Sequence, residues 1–208
     1  MRQHVNPLSN YYDQIIPIPP TREIFKNPDL PLHLDLGSAN GDFLFKLALQ
    51  NQHWNYIGIE IRERLVTNAK LKLKDTNISN LFFAYGNAIN LIKNLINGVS
   101  SIKFDSISVY FPDPWFKKKH HKRRIIQDEF IYDLSKIMTN GSFIFVKSDV
   151  LELFQYIDLT ILNSSSFLKV EKSIELKNSF NPKELRTDRE NYVVDKRLPI
   201  FEQIYVRK

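Results

Sequence analysis

Apolar positions in the first thirty residues follow no period, and Pro7, Pro17, Pro19, Pro20 and Pro28 break up a polar stretch. That composition predicts an arm over residues 1–30, ahead of a single domain over 31–208. From Leu32 the pattern becomes regular. LHLDLG is a short apolar strand ending at Gly37, and GDFLFKLALQN places Phe43, Leu44, Leu47 and Ala48 on one helical face. YIGIEI at 56–61 is a β-branched strand, followed by the helical RERLVTNAKLKLKD. LFFAYG at 81–86 and AINLIKNLIN at 88–97 repeat the pair, as do SISVYF at 106–111 and IIQDEFIYDLSKIM at 125–138, with Gly141 placed to end that helix. SFIFVKS at 142–148 and VLELFQYIDLTIL at 150–162 complete a fifth strand and helix.

Five alternations of strand and helix with short links predict an α/β fold, a mostly parallel sheet with helices on both faces. The rhythm then breaks. FLKVEKSIEL at 167–176 and PIFEQIYVRK at 199–208 are two strands with no convincing helix between them, which predicts an antiparallel pair at the C-terminal edge of the sheet.

Composition removes several function classes. The chain of 208 residues has no cysteine, so a disulfide framework, a thiolate zinc site, an iron–sulfur cluster and a cysteine nucleophile are all excluded. No apolar run approaches the roughly 20 residues of a membrane span, and the N-terminus carries no signal-peptide core, so a soluble cytoplasmic protein is the expectation. Charge is more informative. The 29 Lys and Arg outnumber 23 Asp and Glu by the net +6, and the octapeptide Lys117-Lys118-Lys119-His120-His121-Lys122-Arg123-Arg124 alone holds six cations. An excess concentrated at one place suggests an anionic partner there, against the alternative of a solvated tract.

In an open α/β sheet, ligands sit beyond the carboxyl ends of the strands where strand order reverses, so the residues after each strand carry the candidate chemistry. After the first come Asp35-Leu36-Gly37-Ser38-Ala39-Asn40-Gly41, a tight turn whose spacing is not the dinucleotide GxGxxG. After the second comes Glu60, placed either to accept from the two hydroxyls of an adenosine ribose or to pair in solvent with Arg62 or Arg64. After the third come Gly86-Asn87-Ala88, where Asn87 either reads an adenine edge or caps the next helix. After the fourth, Phe111-Pro112-Asp113-Pro114-Trp115-Phe116 runs straight into the octapeptide. There two prolines brace a carboxylate, and Trp115 and Phe116 offer either stacking surfaces for an extruded base or packing beneath the next helix. On the residues alone, a nucleotide-dependent oxidoreductase, a methyltransferase for another nucleic acid, and a non-catalytic RNA-binding protein remain alternatives.

LDLGSANGDF, GIEIRE, GNA, FPDPWFKKKHHKRR, KSD and the late Thr187-Asp188-Arg189-Glu190 occur in an order and spacing that resemble the bacterial-type tRNA (guanine-N7-)-methyltransferases. The resemblance runs from about Leu32 to the C-terminus, and Arg2 to Pro7 is similar to an N-terminal motif of some members. It implies a Rossmann-like fold and transfer of a methyl group from S-adenosyl-L-methionine to N7 of a guanine in the tRNA variable loop. No metal is implied, and the assembly is a monomer or homodimer with no obligatory partner subunit. By position it implies that Asp35, Gly37, Glu60, Asn87, Ala88 and Asp113 contact the cofactor, with Asp113 also the active-site carboxylate. Lys117, Asp149, Thr187, Asp188, Arg189 and Glu190 fall on substrate-contacting positions, and Lys118, Lys119, Lys122, Arg123 and Arg124 are expected to meet phosphates. The chain departs from the pattern at Asp35 (usually Glu), Ala39 (Gly), Asn87 (Asp), Phe116 (Pro) and Arg189 (an aromatic).

Overall fold

The computed structural model describes residues 5–98, 102–170, 181–182 and 185–208. Among the described residues seven strands form one sheet: β1 (Leu32–Leu36), β2 (Asn55–Glu60), β3 (Leu81–Tyr85), β4 (Phe104–Tyr110), β5 (Met138–Ser148), β6 (Phe167–Lys169) and β7 (Phe201–Arg207), in the order β3-β2-β1-β4-β5-β7-β6. The first five are parallel, whereas β7 runs antiparallel to both β5 and β6. Strand order reverses between β1 and β4, which opens a crevice at their carboxyl ends. The helices are α1 (Thr21–Ile24), α2 (Asp42–Gln50), α3 (Glu63–Lys74), α4 (Ala88–Asn97), α5 (Asp128–Ile137), α6 (Leu151–Asn163) and α7 (Asp188–Asp195). Among the described residues no helix is long and apolar enough to cross a membrane.

The parallel strands read as continuous apolar runs because both sheet faces are covered: all five residues of β1 and all six of β2 are buried. One core gathers Leu34, Ile57, Ile107, Ile144 and the inner faces of α4, α5 and α6; a second packs Phe43, Leu44 and Leu47 of α2 against Tyr56 and Phe83.

Three local expectations need correction. α5 passes into β5 with no intervening loop, and Gly141 does not end the helix. It lies inside β5 at φ +77°, where Phe104 and Ser106 of β4 pair with Met138 and Phe143 and the longer stretch of β5 bulges out. A helix, α7, does stand between the last two strands. Its eight residues bury only Glu190 and Val193, so its amphipathic period is short, and its first turn is secured by a Thr187 cap and an ion pair to β5. The arm also contributes to the core, since Ile18 and Phe25 are buried with the α4 side chains. Residues 171–176 of the expected strand, and Arg2 to His4, lie outside the described residues.

Candidate active site

The turn after β1 builds the floor of the crevice. Gly37 takes φ +87°, with nothing within 4 Å of where a Cβ would stand, so a ligand can approach the main chain. At Gly41, φ is +77° and a Cβ would lie 2.4 Å from the Phe83 ring, so only glycine admits this packing. Ala39, standing where the family has glycine, still enters the left-handed region at φ +49°, and its N–H donates to Glu60 Oε2 at 3.0 Å. The turn is therefore completed by a side chain from the end of β2.

Glu60 is 3% exposed and is not a solvated charge. Its Oε1 accepts from the Arg62 N–H at 2.9 Å and Nε at 2.8 Å, and Oε2 accepts from Arg62 Nη2 at 3.0 Å. Arg62 faces Asp113 as well, whose field adds to that of Glu60 in raising the guanidinium pKa. Asn87 caps α4, accepting from the Ile89 N–H at 3.0 Å, while its amide donates to the Pro7 carbonyl at 2.9 Å. The capping reading holds, and the capped side chain borders the crevice.

The crevice has two lobes. One, a cavity of about 170 Å³, is bordered by Glu60, Gly86, Asn87, Ala88 and the arm residues Val5 and Pro7. The other, about 230 Å³, is bordered by Asp35, Ser38, Ala39, Thr187, Asp188 and Arg189. Gly37, Arg62 and Asp113 border both. The loop carrying Asp113 is entered at Phe111 and left at Trp115 through left-handed backbone, φ +51° and +47°. Such conformations in non-glycine residues persist where the surroundings impose them. Asp35 is buried at the second lobe and accepts from the Ser108 hydroxyl. Burial pushes its carboxyl up to about 7, Ser108 opposes this, and the nearby Glu60 charge adds to it.

The residues fit a polar cofactor with a charged end. The Ser38 hydroxyl at the second lobe and the Tyr110 hydroxyl shared by both lobes are buried with no hydrogen-bond partner. Native interiors seldom leave such groups unpaired, so orphans at a crevice mark places for ligand atoms.

The octapeptide divides in two. It folds as a 3₁₀ helix over Lys118–Arg123, and Lys117, Lys118, Lys119 and Lys122 are exposed. Arg124 is 4% exposed and cannot meet a phosphate as expected. Its Nε donates to the Pro114 carbonyl at 2.9 Å, Nη2 to His121 Nε2 at 3.0 Å, and its guanidinium lies 4.9 Å over the Tyr156 ring. It braces the Asp113 loop. Arg123 also turns inward, 5.0 Å over the Trp115 ring and bordering the first lobe, so it too leaves the outward set. Phe116, by contrast, is 69% exposed and packs beneath no helix.

The C-terminal motif is likewise divided. Thr187 is the α7 N-cap, accepting from the Glu190 N–H at 3.1 Å. Glu190 is not offered to a substrate: at 7% exposure it receives Lys147 Nζ on both oxygens, at 2.8 and 2.9 Å. Arg189 donates to Asp149. Its replacement of an aromatic thus supplies a cation for that carboxylate. Lys147 was missed in the sequence, although a lysine inside the apolar run SFIFVKS signals a buried counter-charge.

Neutralising Lys118, Lys119 and Lys122 together is expected to weaken the binding of a nucleic-acid backbone and to flatten its salt dependence by about 0.7–0.9 log units per log unit of salt for each phosphate no longer neutralised. Arg124→Ala is expected to lower thermal stability without that change in slope. Binding isotherms at several salt concentrations, with melting curves, separate the two.

Residues 29–203 match the family model described as "Putative methyltransferase". The chain is 56% identical over 208 residues to the tRNA (guanine-N(7)-)-methyltransferase of Prochlorococcus marinus strain MIT 9515, covering all of both chains. It is 35% identical to the protein of the same name in strain NATL1A, covering 100% of this chain and 97% of that one. Among solved structures, an antibiotic-related methyltransferase aligns at a TM-score of 0.55 with 16% identity, over 95% of this chain and 97% of the other. An rRNA methylase from Streptococcus thermophilus aligns at 0.51 with 14% identity, over 90% and 91%; at such identities the likeness speaks for the fold. With its sequence aligned end to end with these relatives, the chain belongs to the tRNA (guanine-N7-)-methyltransferase family.

Proposed function

We propose that the protein transfers the methyl group of S-adenosylmethionine to N7 of a guanine in the variable loop of tRNA, with Asp113 at the point of transfer. The observation that carries this is the position of Asp113 on the border between the two lobes, flanked on the outside by Phe116 and the exposed lysines. In this reading Glu60, Asn87 and Ala88 hold the nucleoside of the cofactor, Gly37 lets it lie on the main chain, and Asp35 faces its amino-acid end.

Guanine N7 has a lone pair and no proton, so the reaction requires no general base. The cofactor, when bound, supplies an electrophilic sulfonium methyl group. The chain's task is then placement, worth up to roughly 7–11 kcal/mol when reacting atoms are held in line. Asp113 accepts from the N–H groups on the Watson–Crick edge of guanine, which selects the base, and its charge favours the cationic product ring. Phe116 gives a flat surface for the extruded base, while Lys117, Lys118, Lys119 and Lys122 hold flanking phosphates. Thr187, Asp188 and Arg189 line the far wall against the nucleotide. The enzyme works in the cytoplasm, where its substrate is, with no obligatory partner subunit.

Incubating unmodified tRNA with labelled cofactor, then digesting it and locating the label by mass spectrometry, tests the assignment. The label is expected in 7-methylguanosine from the variable loop; label in another base or another RNA overturns it.

Glu60→Gln is expected to weaken S-adenosylmethionine by about 1.5–3 kcal/mol, the typical value of a charge-assisted hydrogen bond. Calorimetry with the cofactor alone measures this. Unchanged affinity would leave Glu60 as the partner of Arg62 and Ala39 only.

A further inference from the structure

Behind the second lobe, the sheet contains a polar chain inside its apolar core. His33 on β1 is fully buried, with Nδ1 2.8 Å from Ser106 Oγ and Nε2 3.0 Å from Ser108 Oγ. Ser108 in turn bonds Asp35 Oδ1. The four side chains lie in cross-strand register, His33 beside Ser106 and Asp35 beside Ser108. Methyl transfer as proposed uses only Asp35 of the four.

We propose that Ser106, His33 and Ser108 form a one-directional hydrogen-bond chain that positions Asp35 and reverses with its protonation, which makes His33 a positioning residue for the amino-acid end of the cofactor. The cofactor half of this rests on Asp35 facing that end, as in the proposed function; the chain itself does not.

For the carboxylate the inventory of donors dictates the direction, and for the acid it permits the reverse. A serine hydroxyl has one proton to give. If Asp35 is a carboxylate, Ser108 must donate to it, so Ser108 can only accept from His33; His33 then carries its proton on Nε2, and Nδ1 accepts from Ser106. If Asp35 takes its proton on Oδ1, the oxygen that faces Ser108, its hydroxyl donates to Ser108, Ser108 donates to His33 Nε2, and the imidazole proton sits on Nδ1 facing Ser106. Across the change the carboxyl takes one proton from solvent. The imidazole keeps a single proton, exchanged from Nε2 to Nδ1, and both serines keep theirs and rotate.

His33 stays neutral in both forms, because burial pushes its pKa down to about 3. Burial raises Asp35 to about 7, so the reversal falls at neutral pH. The charged and titratable groups that face Asp35 are Glu60 from β2, Tyr110 from β4, and Asp42, Arg62, Asp113, Asp188 and Arg189 around the lobe. Tyr56 stands beside His33, ring centroids 6.0 Å apart, with its own pKa raised far above neutrality.

Long-range proton–nitrogen NMR of ¹⁵N-histidine protein between pH 5.5 and 8.5 tests the chain without cofactor, the His33 signal being the one absent from His33→Gln. His33 is expected as the Nε2–H tautomer at high pH and Nδ1–H at low pH, never as the imidazolium. Ser108→Ala, which keeps both ends, is expected to uncouple the tautomer from pH in this range. One tautomer throughout in the parent, or an unchanged switch in Ser108→Ala, overturns the chain. Calorimetry with S-adenosylmethionine alone tests the second half. If only the carboxylate receives the cofactor's ammonium group, affinity rises about fourfold between pH 6 and pH 8, because the ammonium begins to lose its own proton at about 7.7–8.0 while the carboxylate forms. A tautomer switch with no pH dependence of affinity overturns the positioning role and also detaches Asp35 from the cofactor.

Discussion

Asp113→Ala is expected to lower the rate of methyl transfer by about 10²–10³-fold, the usual result of removing one preorganised group aimed at developing charge. The residue sits where the two lobes of the crevice meet, so it touches whatever passes between them. Its loop has anchors besides its own side chain. Arg124 grips the Pro114 carbonyl, and the Phe111 N–H donates to the Lys147 carbonyl at 2.8 Å. Truncation at Asp113 should therefore leave the loop in place and change the cofactor's affinity little, because the Glu60 and Asn87 walls are untouched. Single-turnover kinetics with saturating tRNA, alongside cofactor titration, is the measurement. Near-normal turnover by a folded Asp113→Ala protein would remove this carboxylate from the point of transfer. Asp113→Asn extends the test. It loses the charge and meets the guanine N–H groups with one acceptor and one amide donor in place of two acceptors, so turnover is expected to fall under either role, and a small effect would argue against both.

Lys147→Ala is expected to destabilise the protein by about 3–5 kcal/mol, since it strands a buried carboxylate. Lys147 is 2% exposed and Glu190 7%, and each provides the other's counter-charge. The Lys147 ammonium also lies 5.1 Å over the Tyr110 ring, an attraction that disappears with it. Replacing both partners by apolar residues, Lys147→Met with Glu190→Leu, removes the uncompensated charge, and such exchanges are often close to neutral. Denaturant titration of the two single variants and the double variant is the check; singles that are no less stable than the double would mean that the pair contributes nothing. The functional consequence is local. α7 carries Thr187, Asp188 and Arg189 to the second lobe, and the ion pair pins that helix to β5. The double variant should therefore show a raised KM for tRNA with cofactor affinity retained.

What could be read from the chain alone was whatever depends on neighbours in sequence. The period-two and helical patterns placed all five parallel strands and the helix after each, so the rim of the sheet was known residue by residue. Proline-braced Asp113 and the cations that follow it were legible for the same reason: the loop is contiguous, and its position after β4 puts it at the crevice. Asn87 was legible as a helix cap because capping is a contact between residues two apart.

Contacts across large separations were decided only by the tertiary structure. Arg124 looks like its neighbours in the octapeptide, yet packing against Pro114 and Tyr156 buries it, while Lys118, Lys119 and Lys122 stay in water. α7 is too short for its own pattern to declare it and depends on a lysine 43 residues away. His33 meets serines 73 and 75 positions along the chain, so a polar residue in an apolar strand gained its meaning only from β4. The physical reason is common to all three. Hydrophobic periodicity is a property of a segment, but the cost of burying a charge or a hydrogen-bonding group is set by whichever partner the fold brings to it.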